Sequence, residues 1–177
     1  PLVALKETPP VRVALVEQEG PYWSLGPVLE IVRKAKLALR EDSPMFVRFH
    51  SDPRRAPAST LRSDVGFVVQ GGATPPPPLR IDRRPAGRVA YLIAPGPHST
   101  TSQYYGALFE WAAANGHQPR GDLIEIYWTN QRSGVVEIQL PILESHGQQG
   151  ELEEVESSDP STARADSLQE PIAAGPG

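Results

Sequence analysis

Polar and apolar residues follow the same order twice along the chain. The first copy alternates at period two from Val11 to Leu15, and the second does so from Val89 to Ile93. Such alternation is typical of strands with one buried face. Both runs lead to a Gly-Pro pair, at residues 20–21 and 96–97, and then to a helical pattern. Arg-Val-Ala and Gly-Pro recur at one offset of 76 residues, which indicates an internal duplication.

After each Gly-Pro pair, apolar residues recur at the three- and four-residue steps of an amphipathic helix. This spacing predicts one helix over residues 24–40 and another over 101–115. Pro27 falls in the opening turn of the first, where backbone N–H groups lack intrahelical partners anyway. Gly116 is placed to end the second helix in the left-handed conformation, which glycine adopts without steric cost.

Two strand-like runs follow each helix. They cover residues 45–50 and 64–70 in the first copy, and 123–128 and 135–140 in the second. Each copy therefore reads β-α-β-β. Four consecutive prolines stand between the copies, and such a run is stiff, extended and unable to enter a sheet ladder.

These patterns predict the domain boundaries. The predicted parts are an N-terminal extension (1–9), a first repeat (10–70), a linker (71–80), a second repeat (81–142) and a disordered acidic tail (143–177). The tail is rich in Glu, Ser, Gly, Pro and Gln, so it cannot bury enough apolar surface to offset its chain entropy.

The formal net charge of −4 is unevenly distributed. Eight acids and one base from residue 143 onward give −7, which leaves +3 for residues 1–142. A domain this mildly basic, without a Lys/Arg stripe, is not expected to contact nucleic acid directly. A protein partner, if the chain has one, is expected to bind through the tail.

Composition excludes several kinds of site. The chain has no cysteine, which rules out disulfides, thiolate catalysis and Cys-based zinc sites. Its four histidines lack metal-ligand spacing, and no phosphate loop or nucleophile motif occurs, so neither a metal nor a cofactor is predicted. No apolar run approaches the ~20 residues of a membrane span. We expect a cytoplasmic protein, or alternatively one anchored or exported through a segment that preceded Pro1.

The strand over residues 123–128 carries the most suggestive chemistry. Alternation puts Glu125 and Tyr127 on one face and Ile124 and Ile126 on the other. We expect the isoleucine face to meet the helices, with the carboxylate and the phenol on the opposite face. A carboxylate among aromatic rings can hold an organic cation, because each ring face adds cation–π attraction of ~0.5–2 kcal/mol. If desolvated, it can also act as a general base on water, and otherwise it faces solvent beside an arginine.

An aromatic side chain also lies at each Gly-Pro turn. Tyr22 follows the first turn, and His98 has the equivalent position after the second. Both stand where a predicted helix begins, and such places often line pockets. Tyr22 and His98 are therefore candidate ligand contacts, although Tyr22 and Trp23 can instead attach the turn to the core.

The repeat and several short motifs resemble the GyrI-like (gyrase-inhibitor-like) family, which includes effector-binding domains of multidrug-responsive bacterial transcription regulators. The resemblance rests on Val13-Ala14, Gly20-Pro21-Tyr22, Ser51-Asp52-Pro53, Asp64-Val65-Gly66, Pro85-Ala86-Gly87, Gly96-Pro97, Tyr105, Trp111, Glu125-Ile126-Tyr127, Glu137-Ile138 and Leu140-Pro141. Together these motifs extend over residues 10–142, about three quarters of the chain.

The resemblance implies an α+β fold in which duplicated β-α-β-β modules join their antiparallel sheets, with helices flanking a central cleft. It implies that Glu125 corresponds to the family's buried acidic residue, which contacts cationic ligands in drug-sensing members. Aromatic residues around the cleft would then be Tyr22, Phe67, Tyr91, Trp111 and Tyr127. We therefore expect a stand-alone domain that senses or scavenges a small apolar ligand, which can be a cation.

Two alternatives stay open. Some family members resemble hydrolases that open cyclopropane-containing toxins, and there the equivalent Glu and a Tyr activate water, so Glu125 and Tyr127 would be catalytic. Alternatively, the domain binds or inhibits another protein. The chain departs from the family pattern at His98, where Tyr is common, and its sequence contains no helix-turn-helix segment.

Overall fold

A computed structural model describes residues 2–96, 98–128 and 134–143. Their elements are β1 (Ala4–Thr8), β2 (Val11–Glu19), α1 (Gly26–Ala38), β3 (Met45–Phe49), β4 (Arg62–Val68), β5 (Arg80–Arg84), β6 (Gly87–Pro95), α2 (Tyr105–Ala114), β7 (Leu123–Tyr127) and β8 (Val135–Ile142). Short 3-10 turns lie at Tyr22–Ser24, Ala58–Thr60 and His98–Tyr104. Apart from residue 143, the predicted tail falls outside the described residues.

The strands of the described residues form one antiparallel sheet in the order β1-β6-β8-β7-β3-β4-β2-β5. Its two halves meet where β3 pairs with β7, and Val47 lies opposite Glu125 at this seam. The predicted α+β fold of two β-α-β-β modules with joined antiparallel sheets is therefore confirmed. Glu125 lies near the middle of the sheet.

Two further strands, β1 and β5, also follow the repeat. Their first residues, Ala4 and Arg80, are 76 positions apart, the same offset as in the sequence. Each pairs with the opposite module, β1 with β6 and β5 with β2. The segment expected to be an N-terminal extension (1–9) thus contains an edge strand, and β5 begins at the last residue of the expected linker (71–80) and continues into the expected second repeat. Alternation does not predict β5, which reads Arg-Ile-Asp-Arg-Arg and has a single apolar residue.

Short connections make the sheet curl. Pro9 and Pro10 alone separate β1 from β2, and Pro85 and Ala86 alone separate β5 from β6. In the sheet, however, β5 lies at one edge and β6 beside the other. Since neighbouring Cα atoms are about 3.8 Å apart, the end of β5 lies within about 11 Å of the start of β6. The two edges must therefore approach each other.

Both helices pack on one face of the sheet, which we call the helix face. The core under α1 includes Val47 and Phe67, and the core under α2 includes Leu92 and Ile138. Tyr127 contacts both cores, so the helix face is apolar across the seam between the modules.

The opposite face of the sheet carries a third apolar cluster. It is formed by Val13, Leu15, Phe46, Ile124 and Ile126. The prediction that Ile124 and Ile126 meet the helices is therefore wrong, and Glu125 and Tyr127 lie on the helix face instead. Alternation determines which side chains share a face, whereas the path of the connections decides which face the helices cover.

The two predicted helices are present but begin later than expected. A 3-10 turn precedes each of them, so α1 starts at Gly26 and α2 at Tyr105. Gly116 has a φ of 70° and follows the end of α2 in the predicted left-handed conformation. Neither helix of the described residues has the length and apolar character needed to cross a membrane.

Candidate functional site

A cleft of about 810 Å³ lies between the two modules. Its walls come from the first 3-10 turn and the end of β3 on one side, and from α2 and the start of β7 on the other. Aromatic side chains from both modules line it, namely Tyr22, Phe49, Tyr105 and Phe109. Small-molecule sites typically have volumes of about 300–1,000 Å³ and mostly apolar walls. The cleft has the size and the lining of such a site.

Glu125 lies behind the wall of the cleft. It is at the centre of β7 and is 3% exposed. The Tyr105 hydroxyl donates a hydrogen bond of 2.6 Å to Oε1, and the Tyr127 hydroxyl donates one of 2.7 Å to Oε2. Tyr105 lines the cleft, whereas Glu125 and Tyr127 do not. Tyr105 therefore stands between the carboxylate and the cleft.

Both of these phenols stay protonated at neutral pH. Burial is the largest cause that raises the pKa of Tyr105 far above its ordinary value of 10.0, followed by the charge of Glu125 and the hydrogen bond to it. The same causes, in the same order, raise the pKa of Tyr127. Both hydroxyls are therefore hydrogen-bond donors to Glu125 and not bases.

No Lys, Arg or His within residues 2–96, 98–128 and 134–143 forms an ion pair with Glu125. Glu137, which is buried to the same extent, is paired with Lys6. Burying a carboxylate is costly unless its charge is compensated, and two neutral hydroxyls compensate it only in part. Among the described residues, the Glu125 carboxylate therefore has no countercharge.

Three aromatic rings connect the two modules along the wall. Tyr22 and Phe49 meet edge to face with centroids 4.8 Å apart, and Phe49 lies 6.3 Å from Tyr105. The Tyr22 hydroxyl donates to the Ser51 carbonyl at 2.7 Å and accepts from the Ser51 N–H at 3.0 Å. These backbone contacts hold Tyr22 in place, so its ring and not its hydroxyl is available to a ligand.

Acidic side chains outnumber basic ones around the cleft. Asp52, Glu110 and Asp122 line it together with Arg54 and His50. Side-chain hydrogen bonds from Arg54 are the largest cause that lowers the pKa of Asp52 to about 2. Asp52 and Arg54 therefore form an ion pair in the wall of the cleft.

His50 connects the cleft with the opposite face of the sheet. Its Nδ1 lies 2.7 Å from Asp122, which lines the cleft, and its Nε2 lies 2.8 Å from the buried Asp64. Asp64 also accepts a hydrogen bond of 2.9 Å from Nε of Arg48. A continuous chain of polar side-chain contacts thus passes around the end of β3.

The structure brings Tyr22, Glu125 and Tyr127 to the cleft or directly behind it, but it places Phe67, Tyr91 and Trp111 elsewhere. Phe67 is fully buried in the core under α1. Tyr91 lies on the opposite face, with the Lys6 ammonium 4.5 Å above its ring. Trp111 stacks on His117 with centroids 5.4 Å apart. The side chain of His98 lies outside the described residues.

Tyr105 and Phe49 line the cleft, although the sequence did not single them out as ligand contacts. Tyr105 belongs to a motif of the family resemblance, which was the available signal. Phe49 shares a face of β3 with Val47 and lies opposite Leu123 of the other module. Because pairing between modules is a long-range contact, no local pattern identified Phe49.

Comparison with known proteins supports this architecture. Residues 3–143 match the profile of a family described as a GyrI-like small molecule binding domain. A comparison with curated protein sequences gives no match. The crystal structure of the EcmrR C-terminal domain has a TM-score of 0.62 at 21% identity, over 81% of this chain and 98% of that one.

Two other solved structures have the same fold. A hydrolase from Listeria innocua has a TM-score of 0.57 at 11% identity, over 80% of this chain and 91% of that chain. SAV2435 bound to tetraphenylphosphonium has a TM-score of 0.57 at 7% identity, over 81% and 94%. In the EcmrR–DNA complex, the matched region spans 58% of the EcmrR chain. Because these sequence identities are low, the likeness shows a common fold and nothing more.

Proposed function

Because this chain belongs to the GyrI-like small-molecule-binding family, we propose that its cleft binds an apolar organic cation for sensing or scavenging, with Glu125 as the buried countercharge. One observation carries the proposal. The Glu125 carboxylate is 3% exposed, accepts hydrogen bonds only from tyrosine hydroxyls among the described residues, and lies behind an aromatic wall.

Two attractions would hold the cation. Each ring of the wall contributes cation–π energy of ~0.5–2 kcal/mol when the charge lies within about 6 Å of its centroid. The carboxylate adds about 2 kcal/mol for a charge about 7 Å away at an effective dielectric constant of about 20. Charge and shape would therefore act together, and a neutral molecule of the same shape would bind more weakly.

A rotation of Tyr105 would strengthen the interaction. Its hydroxyl donates a hydrogen bond to Oε1 of Glu125 from the side of the cleft. A cation that displaces this hydroxyl would contact the carboxylate directly, while Tyr127 keeps Oε2 in place from the other side. Tyr105 would then act as the movable part of the wall.

Tetraphenylphosphonium is a suitable probe, since it is an apolar cation and SAV2435 has been solved with it. We expect it to bind the full chain and to raise the melting temperature. Glu125→Gln keeps the shape of the side chain but removes its charge, and it replaces one of the two accepting oxygens by an amide nitrogen. It should weaken binding at least about tenfold, equivalent to about 1.4 kcal/mol, as measured by calorimetric titration.

Glu110→Gln is the matched control, because Glu110 also lines the cleft but is exposed. It should change the affinity less than threefold. Neutral triphenylphosphine oxide should bind wild type and Glu125→Gln equally well, which separates charge from shape. Equal affinity of wild type and Glu125→Gln for the cation would rule out Glu125 as the countercharge.

A hydrolytic function is the second candidate, with Glu125 as general base and Tyr127 assisting. A carboxylate held by two tyrosines beside a cleft is the observation that favours it. Against it, both carboxylate oxygens already accept hydrogen bonds, and neither residue lines the cleft. Turnover of a strained electrophile by the wild type, lost in a folded Glu125→Gln variant, would select this function over simple binding.

A further inference from the structure

A second cavity, of about 220 Å³, lies on the face of the sheet opposite the helices. Arg48, Ile124 and Gln139 line it and lie side by side on β3, β7 and β8. Arg84 lines it too, although four strands separate β5 from β8 in the sheet. The curl of the sheet therefore brings distant strands together here.

Four of the fifteen residues that line this cavity are arginines. Arg48, Arg84, Arg88 and Arg120 line it, and we call it the arginine pocket. The one acidic residue in its lining, Asp122, already contacts His50. Basic residues therefore outnumber acidic ones in the lining of the pocket.

Two of these arginines are already paired, and two are not. Arg48 binds Asp64, and Arg88 binds Glu7. In the described part of the chain, neither Arg84 nor Arg120 forms an ion pair, and Nε of Arg84 is buried without a hydrogen-bond partner. A buried donor without a partner is rare and costly, so Nε of Arg84 lacks an acceptor that a ligand could provide.

The electrostatic surroundings of Arg84 agree with this interpretation. Burial is the largest cause that lowers the pKa of its guanidinium, and the nearby charge of Arg48 lowers it further, whereas the charge of Glu137 raises it. An anion between Arg48 and Arg84 would offset the two effects that lower this pKa. A guanidinium can donate two parallel hydrogen bonds to a carboxylate or a phosphate, whose planar oxygen pairs match its geometry.

We propose that the arginine pocket is a second binding site, which takes a small oxyanion carrying a carboxylate or phosphate group. Its volume suits a group of a few heavy atoms and not a drug-sized molecule. It differs from the cleft in position and charge, and the two share only Gly121 and Asp122 among their lining residues. The site is therefore distinct in position from the proposed cation site, although Asp122 borders both.

Two sources can supply the oxyanion. One is a free anion, and the other is the acidic tail, because Ile142 lines the pocket and Glu144 follows two residues later in the sequence. A full-length variant in which the eight acids from residue 144 onward become their amides separates these sources. Tighter binding of free phosphate to this variant than to the wild type identifies the tail as a competing occupant, and equal binding identifies a free anion.

The experiment titrates full-length protein with sodium phosphate against sodium chloride at constant ionic strength. We expect saturable binding of phosphate, weakened about fivefold or more in both Arg84→Gln and Arg120→Gln. Arg120 is exposed, so its variant keeps the fold even if Arg84→Gln does not. Arg33→Gln is the control, because Arg33 is exposed on α1 and paired with Glu30 away from the pocket.

Glu125→Gln should bind phosphate as the wild type does, which distinguishes a failure of this site from a failure of the cation site. Unchanged phosphate affinity in Arg120→Gln would overturn the proposal. So would the absence of saturable binding in both the wild type and the amide variant, or a loss of phosphate binding in Glu125→Gln.

Discussion

Glu125 affects the ionisation of the two tyrosines that donate hydrogen bonds to it. Tyr105 and Tyr127 donate to opposite oxygens of one buried carboxylate, and burial together with that charge raises the pKa of both phenols. In the unfolded chain, the same phenols titrate near their ordinary pKa of 10.0. Folding therefore becomes coupled to tyrosine ionisation at alkaline pH.

We expect the free energy of unfolding to fall as the pH rises above about 10. The unfolded chain then releases tyrosine protons that Tyr105 and Tyr127 retain in the folded protein. Each residue contributes a slope approaching about 1.4 kcal/mol per pH unit. Urea denaturation between about pH 8 and pH 11 measures this slope of the unfolding free energy. Tyr105→Phe should remove the part of the slope that Tyr105 contributes. An identical slope in wild type and variant would contradict the assigned shift.

Among the strands, the contact between β2 and β4 depends on one glycine. Gly66 lies opposite both Leu15 and Phe46, and a Cβ placed there would lie 2.2 Å from the Ala14 carbonyl oxygen. Real side chains do not approach backbone so closely, so the strands would have to separate. Since β4 joins β2 to β3, this separation would loosen the whole first module.

Gly66→Ala should lower the free energy of unfolding by about 1–3 kcal/mol or more, because the added methyl group overpacks a buried strand. Thermal and urea denaturation measure the change. Gly72→Ala is the matched control, since no atom lies within 4 Å of the position that its Cβ would take and its φ is not positive. We expect that control to stay within about 0.5 kcal/mol of the wild type. A Gly66→Ala protein of wild-type stability would show that β2 and β4 can separate at little cost.

For the whole molecule, the exchanged edge strands join the two modules. β1 precedes the first module in the chain but pairs with β6 of the second, and β5 makes the reciprocal pairing with β2. Lys6 of β1 adds an ion pair with Glu137, whose side chain is 5% exposed. The N-terminal strand therefore supplies the countercharge for a buried acid of the other module.

Lys6→Met should lower the free energy of unfolding by about 2 kcal/mol, because it leaves Glu137 buried and unpaired. The effect is smaller than for a fully buried pair, since the Lys6 side chain is 32% exposed. The double variant Lys6→Met with Glu137→Gln should recover most of the loss in urea denaturation. Arg88→Gln, which breaks an exposed ion pair between β6 and Glu7 of β1, should cost less than about 1 kcal/mol. Additive losses in the double variant would contradict a direct interaction.

Local patterns were sufficient to predict six of the strands and both helices, because each of these elements has its own apolar periodicity. They were insufficient for β1 and β5, whose residues are mostly polar and which are held by hydrogen bonds to strands distant in the sequence. In the site, Glu125 and Tyr127 could be identified from alternation together with the family resemblance. Phe49 could not, because it reaches the cleft through pairing between the modules.

The sequence by itself determined the duplication, the order of elements within each module, and which side chains share a face of each strand, since these depend on local periodicity. Only the tertiary structure decided which face the helices cover, which strands cross between modules, and which aromatic rings meet at the seam. Those outcomes depend on contacts between residues far apart in the chain. The same long-range packing places Tyr105 against Glu125 and gathers four arginines around the arginine pocket.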